Sequence, residues 1–101
     1  MTPEAKVKAN VKKILTKYGV YYINPSTGGY GSSGAPDIVA CYKGVFIGIE
    51  CKAKGNLPTA LQNKNLDDIK QCGGIAMVVN ETNIGTVENT LKLIGDRNEL
   101  E

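Results

Sequence analysis

The stretch that decides the fold reads PDIVACYKGVFIGIECK and spans residues 36–52. Two runs rich in β-branched and aromatic residues, 37–42 and 45–52, lie on either side of Lys43-Gly44. Two residues ending in glycine between such runs are typical of a tight hairpin turn. The stretch therefore predicts two adjacent antiparallel strands.

The turn also determines which residues face each other. If Tyr42 lies opposite Val45, counting back places Asp37 directly opposite Glu50, and Lys52 projects from the same face because side chains alternate along a strand. Directly opposed side chains are about 5 Å apart at Cβ, where like charges are destabilising. The other face is expected to pack on the core, and it carries the apolar residues Ile38, Ala40, Ile47, Ile49 and Cys51.

Two facing carboxylates beside one lysine have two interpretations. A divalent cation would relieve the repulsion, because Mg²⁺ commonly takes one or two carboxylates together with waters and phosphate oxygens. Lys52 would then position or deprotonate an attacking water, or stabilise the charge that develops on the phosphoryl group. Alternatively, the pair lies on a solvent-facing edge where Lys52 only offsets both acids, and a bulge would break the pairing.

The rest of the chain predicts a single α/β domain over residues 1–101, with a mixed sheet flanked by helices in the order αβββαβα. Five further elements are expected from helical spacing, apolar runs and glycine stops: a helix from Thr2-Pro3 to Gly19, a short strand over 20–23, a helix over 59–72, a buried central strand over 75–79 and a last helix over 86–97.

Composition excludes several chemistries. The 101 residues include no His and three Cys, so Ser-His-Asp and Cys-His nucleophile systems and HExxH zinc sites are ruled out. An enzyme of this composition would use carboxylates and lysines, with a metal ion. The cysteines form no CxxC pair and are expected to be buried thiols in a reducing cytoplasm. No membrane span or secretory segment is expected, since no apolar run approaches about 20 residues.

The formal charge of +2 is unevenly spread. The first twenty residues carry five lysines against one acid, Glu4, whereas residues 81–101 carry five acidic residues against two basic ones. A basic first helix favours a polyanionic partner, and a solvated lysine face is the equally simple alternative.

Two polar residues at predicted helix starts also have two possible roles. Gln62 completes a T-x-x-Q capping box with Thr59, yet Leu66 and Ile69 follow it at helical spacing, which places its amide on the face turned towards the sheet. Spacing alone favours capping. Glu4 lies where a helix dipole favours a carboxylate, whether or not it has another function.

A glycine-rich loop, NPSTGGYGSSGA, occupies residues 24–35. It does not predict a nucleotide cofactor, because it lacks the Lys-Ser/Thr of a P-loop and precedes a strand rather than a helix. It could approach a phosphate backbone, with Tyr30 as a stacking group and Ser32 and Ser33 as DNA contacts, or it could be an ordinary loop.

Pro36-Asp37 followed by Glu50-Cys51-Lys52 on the adjacent strand resembles the PD-(D/E)xK nuclease motif, and αβββαβ is the order of that restriction-endonuclease-like superfamily. Within it, residues 4–80 resemble the virus-type replication-repair nuclease (VRR-NUC) family. The matching stretches are GAPDI at 34–38, IECKA at 49–53, PTALQ at 58–62, and Gly73-Gly74 before a hydrophobic strand.

The resemblance implies a metal site with Asp37, Glu50 and the backbone carbonyl of Cys51 as ligands of Mg²⁺ or Mn²⁺. Lys52 becomes the catalytic lysine. Glu4 completes the metal environment, in part through water.

The resemblance also places Gln62 beside this site as a catalytic residue. Family members often carry glutamine four residues after the first-helix acid, where this chain has Lys8. Lys8 is therefore expected to contact DNA phosphate instead, as is Lys54.

The function implied by the resemblance is a metal-dependent, structure-selective DNA endonuclease of phage type in the host cytoplasm. It would act on branched or four-way DNA as a homodimer, like Holliday junction resolvases, with Tyr21, Tyr22 or the last helix as candidate interfaces. A non-catalytic DNA-binding or assembly module, and a partner-activated nickase of a mobile element, remain alternatives. A binding module would not require the set Asp37, Glu50, Lys52 and Gln62.

Overall fold

The computed structural model of the chain describes residues 1–25 and 34–100. It confirms the element order expected from the sequence. The helices and strands are α1 (Pro3–Lys17), β1 (Tyr21–Ile23), β2 (Ile38–Tyr42), β3 (Val45–Cys51), α2 (Ala60–Gln71), β4 (Ile75–Val79) and α3 (Gly85–Leu100).

The hairpin formed by β2 and β3 has the predicted turn and register. Lys43 and Gly44 both have positive φ, at 50° and 82°, as a type I′ two-residue turn requires. Tyr42 pairs with Val45, and the last pair at the other end is Ile38 with Ile49. All five apolar residues assigned to the core face are buried.

The sheet has the order β1-β2-β3-β4, with antiparallel pairs up to β3 and a parallel pair between β3 and β4. The expectation that residues 75–79 form a central strand is wrong, because β4 lies at the edge of the described sheet. Its apolar sequence has another cause. Val79 is buried in the core on one face, and α2 packs against the strand on the other.

Two helices cover one face of the sheet and one helix covers the other. Apolar residues of α1 and α3 join the core face in one cluster: Val7, Val11, Leu15, Val87, Leu91 and Ile94. On the opposite face, α2 approaches the sheet closely, since a Cβ placed on Gly48 would be 2.5 Å from Cδ1 of Ile69. Gly48 and Glu50 share this face by strand alternation.

The expectation of three buried thiols holds only for Cys51, because Cys41 and Cys72 are exposed. Cys41 pairs across the strands with Tyr21 and Phe46, both exposed, at an end of the sheet face that helix packing leaves open. Cys72 is the C-cap of α2. Within the described residues, the helices are too short or too polar to cross a membrane.

Candidate active site

Asp37 and Glu50 are joined by hydrogen bonds that cross the hairpin just beyond its last residue pair. The main-chain N–H of Asp37 donates to Oε1 of Glu50 at 3.1 Å. The main-chain N–H of Cys51 donates to Oδ2 of Asp37 at 2.8 Å. Each carboxylate is therefore oriented by the backbone of the strand opposite, and the two lie side by side at this end of the hairpin.

A lysine lies near the second oxygen of each carboxylate. Nζ of Lys52 is 3.5 Å from Oε2 of Glu50, and Nζ of Lys8 is 3.4 Å from Oδ1 of Asp37. Lys52 is two residues along the chain from Glu50, just after the end of β3, whereas Lys8 comes from α1. The site thus contains two acids and two cations, and each acid has one backbone partner and one ammonium partner.

Glu50 is the only charged residue buried in the described part of the chain, with 2% of its surface exposed. Burial, followed by the negative charge of Asp37, raises the pKa of its carboxyl from 4.5 to about 7, and the Lys52 ammonium offsets only part of this rise. The ionised form is therefore costly unless more positive charge arrives. A divalent cation would supply that charge.

The side chain of Cys51 is not a reactive group in this site. Burial, followed by the charge of Asp37, raises the pKa of its thiol to about 12, so the thiol stays protonated and is a poor nucleophile and metal ligand. Only its main-chain carbonyl remains as a ligand candidate, which agrees with the role that the family resemblance implies.

Glu4 and Lys8 reach the site from α1. Glu4 lies in the first helical turn, and it is close enough for its charge to contribute to the raised pKa of Cys51. Lys8 follows four residues later, so the two side chains share one face of the helix. The Lys8–Asp37 pair was not predicted from the sequence, and the i, i+4 spacing from Glu4 was the one signal that pointed towards it.

The structure uses Gln62 as a helix cap. Its Oε1 accepts from the Thr59 N–H at 2.9 Å, and its own N–H donates to Oγ1 of Thr59 at 3.1 Å, completing the expected capping box. This helical turn packs on the segment that leads into Asp37, since a Cβ on Gly34 would come within 2.9 Å of the Leu61 backbone. Gln62 itself makes no hydrogen bond to either carboxylate in the described region.

Of the remaining DNA-binding candidates, Lys54 is the one within the described residues. Lys54 is exposed, and its main-chain N–H donates to the Glu81 carboxylate. Tyr30, Ser32 and Ser33 lie outside the described residues.

The donor atoms fit a hard divalent cation that keeps several waters. Among the described residues, no three His, Cys, Asp or Glu side chains form a metal-holding group, so the protein would supply two carboxylates and a carbonyl. Mg²⁺ usually binds proteins through one or two carboxylates and retains waters. Oδ1 of Asp37 and Oε2 of Glu50 each lie near a lysine ammonium, and an incoming ion could replace those two ion pairs.

Comparison with known proteins agrees with this geometry. A family model described as archaeal Holliday junction resolvase (Hjc) matches residues 5–79. A solved structure described as a VRR_NUC domain is similar to this chain with a TM-score of 0.72 and 22% sequence identity, covering 91% of this chain and 97% of that one. No curated protein matches the sequence. The VRR-NUC resemblance and the restriction-endonuclease-like fold class are confirmed.

Proposed function

Given that the chain belongs to the archaeal Holliday junction resolvase (Hjc) family, we propose that it is a metal-dependent endonuclease that cleaves branched DNA. The observation that carries the proposal is the Asp37–Glu50 pair, in which Glu50 is buried and Asp37 is half-buried, and which reciprocal backbone hydrogen bonds orient. Two acids held together at a cost in free energy are expected where function requires them.

Asp37, Glu50 and the carbonyl of Cys51 would hold Mg²⁺ or Mn²⁺, with Glu4 acting through water. When bound, such an ion polarises the scissile phosphate and stabilises the leaving 3′ oxygen. Lys52 has three ammonium protons, and Glu50 engages it on one side. Its remaining protons are available to orient the attacking water and to neutralise charge on the phosphoryl oxygens.

DNA would approach the side of the molecule that α1 forms. Its five lysines supply an electrostatic, sequence-independent attraction for phosphates, with Lys8 nearest the carboxylates. Lys54, Tyr30, Ser32 and Ser33 are the further residues that we propose contact DNA. Gln62 would act from the first turn of α2 in addition to its capping role.

A two-fold symmetric dimer would suit a four-way junction, because its two active sites would be related by the same two-fold axis as the junction. Of the expected interfaces, Tyr22 and the apolar face of α3 pack on the core, whereas Tyr21 is 71% exposed beside exposed Ile23 and Phe46. We therefore assign the dimer interface to this part of the sheet. Sedimentation should show a dimer for the natural sequence and a monomer for Tyr21→Asp, and a monomer for both would contradict the assignment.

The proposed activity is tested by incubating the 101-residue protein with four-way, flapped, linear duplex and single-stranded DNA, with Mn²⁺ or EDTA. We expect cutting of branched DNA in Mn²⁺ and none in EDTA. Glu50→Gln and Lys52→Ala should each lower the rate about 100-fold or more. Lys64→Ala, which removes an exposed lysine of α2, should leave it unchanged.

Metal-independent cutting, or equal rates for all three variants, would refute the proposed mechanism. Binding of every DNA without cutting would instead indicate a DNA-binding module.

A further inference from the structure

Lys8 forms an ion pair with one of the two carboxylates, although the PD-(D/E)xK motif does not include it. It lies on α1, and its Nζ is 3.4 Å from Oδ1 of Asp37. The pair is only partly shielded from water, with 34% of the Lys8 side chain and 23% of the Asp37 side chain exposed. This contact is tertiary and specific, since it joins a helix to the start of β2.

The four carboxylate oxygens of Asp37 and Glu50 differ in their hydrogen-bond and ion-pair partners. Oδ2 of Asp37 and Oε1 of Glu50 accept main-chain hydrogen bonds that belong to the hairpin itself. Oδ1 of Asp37 instead faces the ammonium of Lys8. A divalent cation bound at Oδ1 would be repelled by an ammonium at the same oxygen, so the two cations compete for it.

We propose that Lys8 is a displaceable counterion, which occupies Oδ1 of Asp37 in the metal-free protein and withdraws when a divalent cation binds there. The inference rests on the proposed function, because it takes Asp37 as a metal ligand. Withdrawal needs no movement of α1, because the long, flexible lysine side chain can turn its ammonium to water. Lys8 thus neutralises the acid pair without metal and weakens metal binding.

Calorimetric titration with Mn²⁺ of the EDTA-treated and dialysed 101-residue protein tests this competition. Lys8→Gln should bind Mn²⁺ roughly fivefold more tightly than the natural sequence, the effect expected of a partly exposed ion pair. Lys8→Arg keeps the charge and should remain close to the natural affinity. Lys12→Gln removes a charge one turn further along α1 and controls for long-range electrostatics.

The sign of the change distinguishes competition from a purely structural role. If Lys8 only held Asp37 in position, its removal would weaken Mn²⁺ binding. Weaker or unchanged binding by Lys8→Gln, or an equal gain in Lys12→Gln, would overturn the proposal, with far-UV circular dichroism confirming that each variant is folded.

Failure of the proposed function would have a different signature. In that case the natural sequence would not bind Mn²⁺, or would bind it equally well after Asp37→Asn and Glu50→Gln. Either result overturns the metal site and the role of Lys8 with it. Binding that needs both acids and ignores Lys8 would overturn the role of Lys8 alone.

Discussion

Replacing Glu50 with glutamine is expected to stabilise the metal-free protein at alkaline pH. The carboxyl has a pKa of about 7 in the folded protein, against 4.5 for its ordinary value, because it is buried. A raised pKa means that the folded protein binds this proton more tightly than the unfolded chain does. Its contribution to stability is therefore complete below about pH 4.5 and is lost as the pH rises through about 7.

The magnitude follows from linkage between protonation and folding. Between those two pKa values each pH unit lowers the free energy of unfolding by about 1.4 kcal/mol. Integrated from about pH 5 to about pH 8, the loss is about 2.5 kcal/mol. Glutamine resembles the protonated acid in shape and remains neutral, so Glu50→Gln should escape this loss.

Urea unfolding in EDTA, followed by far-UV circular dichroism, measures the effect. The difference in free energy of unfolding between Glu50→Gln and the natural sequence should be about 2.5 kcal/mol more favourable at about pH 8 than at about pH 5. Taking the difference between two proteins removes the contributions of shared titrating groups. The same gain at both pH values, or none at either, would refute the burial argument.

Glu88→Gln is a matched control, because its effect on stability at alkaline pH is expected to have the opposite sign. Its carboxylate accepts a hydrogen bond from Nζ of Lys17 at 3.2 Å, which lowers the pKa of Glu88. That substitution should therefore destabilise the protein at alkaline pH and lose its effect as the acid becomes protonated.

Three further outcomes are expected. Saturating Mg²⁺ should raise the midpoint of thermal unfolding of the natural sequence, and EDTA or Glu50→Gln should abolish the rise. Gln62→Ala should cost about 1 kcal/mol in urea unfolding, because it removes the side-chain oxygen that accepts from the Thr59 N–H. Gln62→Glu should keep that stability, so a cleavage defect in Gln62→Glu would identify a role beyond capping. Gly48→Ala should lower the free energy of unfolding in urea by about 1–2 kcal/mol, because its Cβ would meet the Ile69 side chain. Gly85→Ala, whose Cβ would meet nothing within 4 Å, should not lower it.

The hairpin and its acid pair could be predicted from sequence because every step was local. The Lys43-Gly44 turn sets the register, and strand alternation then carries that register to Asp37, six residues before the turn, and Glu50, six residues after it. No distant contact enters the inference. The capping box at Gln62 could be predicted for the same reason, since it involves only residues close together in the sequence.

Contacts between elements could not be predicted in this way. An apolar run such as residues 75–79 indicates that the strand is covered by other parts of the protein, but not whether it lies at the centre or the edge of the sheet. Packing against α2 on one face and the core on the other is enough to explain the run. Cys41 lies on β2, whereas α2 packs mainly against β4 and β3, and the sequence of β2 does not reveal which strands a later helix will cover. The Lys8–Asp37 pair depends on how α1 docks, which residue spacing within the helix does not determine.

Because backbone hydrogen bonds of the hairpin hold Asp37 and Glu50, the positions of the two acids and the charge around them are set by different parts of the molecule. The geometry of the acids is fixed within residues 37–51 of one hairpin, by main-chain amide groups that any residue type except proline provides. The surrounding helices are then free to vary the charge near those acids without moving them. Substitution on α1 alone would thus be enough to change the electrostatic surroundings of the two acids, while the hairpin keeps their relative position unchanged.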